Sequence, residues 1–183
     1  MIDFDALITK AEKNLNESFI HYQSTPNTLA QEFVELKLQS CIFQYDICAE
    51  MIGVIRNQPQ GFACSVALKG LVLRLFEYDQ VLNKKLIPRL LSLAQAREIK
   101  IDNAEIKSLK MQWKSELDQV QKWHEVRNCA AGHYGQDLAR QVMLLQSLTL
   151  DGVMTVVRGF LSFNMGLLVL LRDAGLGVPS NNA

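Results

Sequence analysis

"GVMTVVRGFLSFNMGLLVLL", residues 152–171, decides what kind of protein this chain makes. Its length is that of a membrane span, about 20 residues. Arg158, Ser162 and Asn164 interrupt its middle, however, where a lipid-facing helix tolerates polar groups poorly. The segment therefore reads as a core helix buried by its own protein. The N-terminus, "MIDFDALITKAEKN", has acids where a secretory signal has bases followed by an apolar run. A soluble cytoplasmic protein without membrane contact is the expectation.

Working outward, apolar residues recur at steps of three and four almost everywhere, and strand alternation is scarce. In the first helix Phe4, Leu7, Ile8, Ala11, Leu15 and Phe19 keep this spacing. "STPN" ends it, and Asn27 or Thr28 can cap a second helix from about 29 to 55, whose apolar surface includes Phe33, Leu36, Ile42, Ile47 and Met51. "RNQPQG", residues 56–61, is the clearest interior turn. A third helix follows, with Val66, Leu68, Leu71, Val72, Leu75 and Phe76 facing inward. Pro88 suits the first turn of another short helix. "EIKIDN", residues 98–103, reads as an extended link, and Asn103 opens a long amphipathic helix to about 131 carrying Trp113, Leu117, Val120 and Trp123. Asp137 can cap the next helix, and "TLDG" pauses the chain before the last, which Gly175 and Gly177 should stop. The expected fold is all-α: an up-and-down bundle of about five to six helices over residues 1–176, with 177–183 a flexible tail. The apolar run "GLLVLL" in the last helix reads as a contribution to a subunit interface.

At 183 residues and 49% hydrophobic content, one domain with a sizeable core is the natural size. Lys plus Arg equals Asp plus Glu at 19 each, so no global basic field holds long nucleic acid, though a local patch is compatible with that balance. Cys41, Cys48, Cys64 and Cys129 form no CxxC pair; Cys41 and Cys48 share a helix face at a heptad step, and buried reduced thiols are the expectation. Zinc spacing, inward Glu-x-x-His pairs and a phosphate-binding glycine loop are absent from the sequence, so no cofactor or metal is expected.

One stretch is not explained by folding alone: "WHEVRNCAAGHYGQD", residues 123–137. Six helical residues rise about 9 Å and rotate the side chain by about 120°, so Arg127 and His133 diverge on a straight helix. Convergence needs a bend, for which "AAG" supplies small side chains and a permissive glycine. An arginine that stays cationic and a histidine that titrates near neutrality suit metal-free phosphodiester chemistry. Each also has an ordinary structural reading, Arg127 near a helix C-terminus and His133 as a residue after a C-terminal glycine. His124 and His21 are assigned no role, and Trp113 and Trp123 are read as packing.

"RNCAAGH" resembles the signature of the HEPN domain family: an arginine, a polar neighbour, a spacer and a histidine at the end of a long helix, before an apolar terminal helix. The resemblance covers a short motif, with the rest of the chain similar in architecture. It implies a metal-independent endoribonuclease of toxin or defence type, acting as a homodimer on RNA, with Arg127 and His133 as the catalytic pair at the dimer cleft. Asn128 and Tyr134 would support the histidine or contact RNA, and an antitoxin-like protein is an implied partner. The alternative is a non-catalytic HEPN-like module that uses the bundle to dimerise or to bind a partner or nucleotide.

Overall fold

The computed structural model describes residues 4–26, 29–99, 101, 103–131 and 137–176. The proposed caps Asn27 and Thr28, the Gly177 stop and the tail 177–183 lie outside the described residues. Within them the chain is helical, with no strand: α1 Phe4–Ser24, α2 Leu29–Asn57, α3 Phe62–Val81, α4 Ile87–Ala96, α5 Asn103–Gln112, α6 Lys114–Lys122, α7 His124–Val126, α8 Leu138–Gln146 and α9 Leu150–Leu176. The rods expected from the sequence correspond to α1, α2, a joined α3–α4, a segmented α5–α7, α8 and α9.

The terminal helix is the axis of the bundle. α9 packs against α2, α3, α5 and α6, and α1 lies along α2. It is long and apolar enough to cross a membrane, yet 61% of that apolar window is buried inside the bundle. Val153, Val157, Phe160, Phe163 and Leu167 are buried, whereas Thr155, Arg158 and Ser162 are exposed. The polar interruptions thus sort by helix face. Asn164, fully buried, is the exception, and it is satisfied. Its Oδ1 lies 3.0 Å from the Tyr78 hydroxyl, which donates to it, and its Nδ2 donates to the Ser40 carbonyl at 3.2 Å. The Ser40 hydroxyl, 3.0 Å from the same phenol oxygen, completes a polar link joining α2, α3 and α9. Around it Tyr78 stacks on Phe43 with centroids 3.8 Å apart, and Phe160 meets both edge-on.

Two notches let the neighbouring rods approach α9. A Cβ at Gly159 would meet the Glu116 side chain at 2.5 Å, and one at Gly166 would meet Leu109 at the same distance. Seven residues apart, they lie on one helix face, toward α6 and α5.

Several boundaries differ from the sequence reading. Pro88 does sit in the first turn of α4, but the chain does not break before it: α3 runs into α4 through a π-helical turn, Leu82–Leu86, in which the Ile87 N–H donates to the Leu82 carbonyl five residues back. The wider turn absorbs the missing N–H and ring bulk of Pro88. The rod expected over 103–131 is broken at Trp113 (φ −121°, ψ 25°) and at Trp123 (φ −78°, ψ 7°). At each break the tryptophan N–H reaches three residues back, Trp113 to Lys110 and Trp123 to Val120. Val120, Trp123 and Val126 are all buried, so the rod bends to keep its apolar side on the core. α9 runs through Gly175, which therefore does not stop it. Val66, read as an inner residue, is 40% exposed, and Ile42 and Phe19, members of the apolar stripes of α2 and α1, are 45% and 47% exposed, at the edges of those stripes.

Other expectations hold. The 56–61 turn separates α2 from α3. Asp137 caps α8, accepting from the Arg140 N–H at 2.9 Å, and Thr149 Oγ1 accepts from the Gly152 N–H at 3.2 Å where the chain pauses before α9. Cys41 and Cys48 are buried on one face of α2, Cys41 3.3 Å from the Ser18 hydroxyl. Burial raises both thiols, Cys48 to about 11.

Two outcomes follow. Asn164→Leu removes both side-chain hydrogen bonds of the buried amide, leaving Ser40 Oγ as the remaining partner of the Tyr78 hydroxyl, and should lower the unfolding free energy by about 1–3 kcal/mol, read from urea denaturation. Iodoacetamide at pH 8 should label Cys64 and Cys129, which are half-buried, while sparing Cys41 and Cys48 until the protein is unfolded; peptide mass spectrometry reads this directly.

Candidate functional site

The two breaks at the tryptophans bring the end of the α5–α7 rod onto α3. α7 and the residues after it pack on α3 and α8. From Arg127 to Ala131 the backbone is π-helical, so the segment "RNCAA" leaves regular α-helical geometry. His133 and Tyr134 lie outside the described residues, as does Gly132.

Arg127 is half-exposed. Its Nε donates to Glu77 Oε1 on α3 at 3.0 Å, and its NH1 donates to the Asn128 side-chain oxygen at 3.0 Å. The Asn128 amide nitrogen lies 2.8 Å from His124 Nε2. An amide N–H can only donate, so this imidazole nitrogen accepts and the ring carries its proton on Nδ1. Three consecutive partners, Arg127, Asn128 and His124, are therefore linked in one exposed chain. Phe76 supports the imidazole from α3, with ring centroids 6.2 Å apart. Beside them Arg140 of α8 pairs with Glu125 of α7 at 3.3 Å, tying the next helix to the same corner.

The arrangement has defined chemical capacity. A guanidinium has five N–H donors, and Glu77 and Asn128 take one each here, leaving the others for an anion. The neutral imidazole is a competent proton acceptor once its Nε2 is released from Asn128. The local charge is balanced, with Arg127 and Arg140 facing Glu77 and Glu125.

Of the four residues singled out in the sequence, the structure brings Arg127 and Asn128 together. It adds two that the sequence reading passed over. His124 stands four residues before Asn128, one helical turn away on the same face, so the spacing itself could have flagged it. Glu77 is fifty residues from Arg127, and no local pattern announces it.

No family model, curated protein or solved structure matches the chain. What the fold defines is its class, an all-α helical bundle with a polar arginine–asparagine–histidine corner.

The Arg127–Glu77 pair is solvent-screened, with side chains 42% and 51% exposed. Glu77→Gln should therefore change stability by less than about 1 kcal/mol. The same change should speed modification of Arg127 by phenylglyoxal several-fold, which peptide mapping would record. A large stability loss would instead make the pair part of the structural frame.

Proposed function

We propose that this protein is a HEPN-like helical bundle that cleaves RNA without a metal ion, as a homodimer whose two arginine–histidine motifs face each other across a cleft. The observation that carries this reading is the hydrogen-bonded Arg127–Asn128–His124 corner, exposed at the end of a segmented helix. The sequence motif that resembles the family's starts in that corner and ends at His133.

The reaction divides into three tasks. A base removes the proton of a ribose 2′-hydroxyl, whose oxygen attacks the adjacent phosphorus. The phosphorus–5′-oxygen bond breaks, the departing oxygen takes up a proton, and a 2′,3′-cyclic phosphate and a 5′-hydroxyl remain. Arg127 holds two non-bridging oxygens as charge builds on them. His133 is assigned the proton transfer, with Asn128 and Tyr134 as supporting contacts to the histidine or the RNA. His124, held by Asn128, gives the corner a second imidazole for the opposite proton transfer. An antitoxin-like protein covering this corner would hold the enzyme inactive.

A second reading has its own support. Glu77 already neutralises Arg127 within one chain, which suits a non-catalytic module whose polar corner serves dimerisation or partner binding.

Cleavage of single-stranded and structured RNA in EDTA tests both. Wild-type protein should generate cyclic-phosphate ends, and an Arg127→Ala, His133→Ala double variant should lose at least about 100-fold in rate. An inactive wild-type protein that remains dimeric would favour the module and end the ribonuclease reading.

A further inference from the structure

The neutral total hides an uneven distribution. Residues 82–114 carry eight Lys or Arg against three Asp or Glu, a surplus concentrated in one stretch. The two arginines in it are already engaged: Arg89 reaches Glu32 and Glu35 at 3.2 and 2.6 Å, and Arg97 lies over the Phe33 ring. The excess positive charge therefore rests on lysines. Lys107, Lys110 and Lys114, spaced three and four apart, share one helical side and line a hollow of about 260 Å³ between α3 and the α5–α6 rod.

The inner wall of this hollow is built around Asp79, 2% exposed. The Asn83 amide donates to Asp79 Oδ1 at 2.9 Å, and the Gln121 amide donates to Oδ2. Asn83 passes the constraint outward, since its Oδ1 accepts from the Lys110 ammonium. Burial raises the Asp79 carboxyl above its ordinary range. A purely structural solution would place Lys110 directly on that carboxylate. Here an amide stands between them, so a normally mobile ammonium is anchored while its charge stays uncompensated by contact. Lys107 has no ion-pair partner among the described residues; Lys114 is paired with Asp118. Leu82, Met111 and Leu117 supply an apolar side.

We propose that this hollow binds a small phosphorylated organic anion, its phosphate held by Lys110 and Lys107 and its attached group laid against Leu82, Met111 and Leu117. Asp118 also lines the hollow and occupies Lys114, so the positive side is Lys107 and the anchored Lys110, a pair that favours compact multivalent anions over chloride or an isolated carboxylate. The volume is just below the roughly 300–1,000 Å³ of pockets for drug-sized ligands, which limits the occupant to about a sugar phosphate. This site is independent of the Arg127 corner, and a protein inactive on RNA would still have it.

Calorimetric titration with inorganic phosphate, pyrophosphate and ribose 5-phosphate, at ionic strength held constant with KCl, tests the assignment. One saturable site is expected, with ribose 5-phosphate binding at least as tightly as inorganic phosphate. Lys110→Ala and Lys107→Ala, both changes at the solvent-facing rim, should each weaken binding at least about tenfold, the loss of one charge-assisted hydrogen bond. Asn83→Leu retains the ammonium but removes its anchor, and should weaken binding several-fold. Lys13→Ala on α1, where Lys13 pairs with Glu17, should change nothing. Circular dichroism verifies that each variant is folded. Absence of saturable binding by all three probes, or binding that Lys110→Ala leaves intact, overturns the proposal.

Discussion

A carboxamide in the middle of the most apolar helix imposes the central constraint on this fold. Asn164 cannot be buried without partners, because an unpaired amide in an apolar setting costs several times what a made hydrogen bond contributes. Tyr78 from α3 and Ser40 from α2 supply those partners, and both demand particular rotations of their helices. Apolar packing alone would tolerate neighbouring arrangements of α2, α3 and α9. The hydrogen bonds select one. With α9 so oriented, its Gly159 and Gly166 notches face the α5–α6 rod, which can then lie close against it.

That close approach shapes the polar corner. A straight helix over 103–131 would not keep Ile106, Val120, Trp123 and Val126 all on the core, and all four are buried. The chain bends at the two tryptophans, large side chains at the core boundary that tighten the local hydrogen bonding to three-residue steps. The second bend sends Arg127 to Glu77 and sets His124 over Phe76. The side chains of the corner are thus delivered by the core requirement of the rod that carries them. None of their own contacts, each exposed to solvent, is strong enough to dictate that path.

Most of the architecture was legible in the spacing of apolar residues, and the cap at Asp137 in a single side chain. The elements misread share a cause. The join of α3 to α4 and the breaks in the 103–131 rod both depend on how a helix deforms while remaining helical, through a π turn in one case and tightened turns in the other. Local propensity does not register that, since the sequence between the breaks stays helix-forming. Exposure at Ile42 and Val66 likewise depends on which neighbours arrive, not on the periodicity of the helix itself. At the corner, Arg127 and Asn128 stood out because polar residues interrupt an apolar seam. Glu77 could not, because it sits on the solvent side of an ordinary amphipathic helix, and only the tertiary arrangement gives it a partner.

The consecutive residues Glu77, Tyr78 and Asp79 show how closely these parts are coupled. Successive side chains on an α-helix point about 100° apart, so three in a row address three directions. Tyr78 points into the core and holds Asn164, Glu77 turns to Arg127, and Asp79 turns to the Asn83–Gln121 wall of the lysine hollow. One turn of α3 therefore sets the register of the core, the polar corner and the hollow together. A rotation of α3 by even one residue would give up the buried phenol's hydrogen bond while moving both carboxylates away from their partners. Tyr78 and Asp79 are both buried, so their contacts fix the turn from within and hold the exposed Glu77–Arg127 pair in place without requiring that pair to be strong.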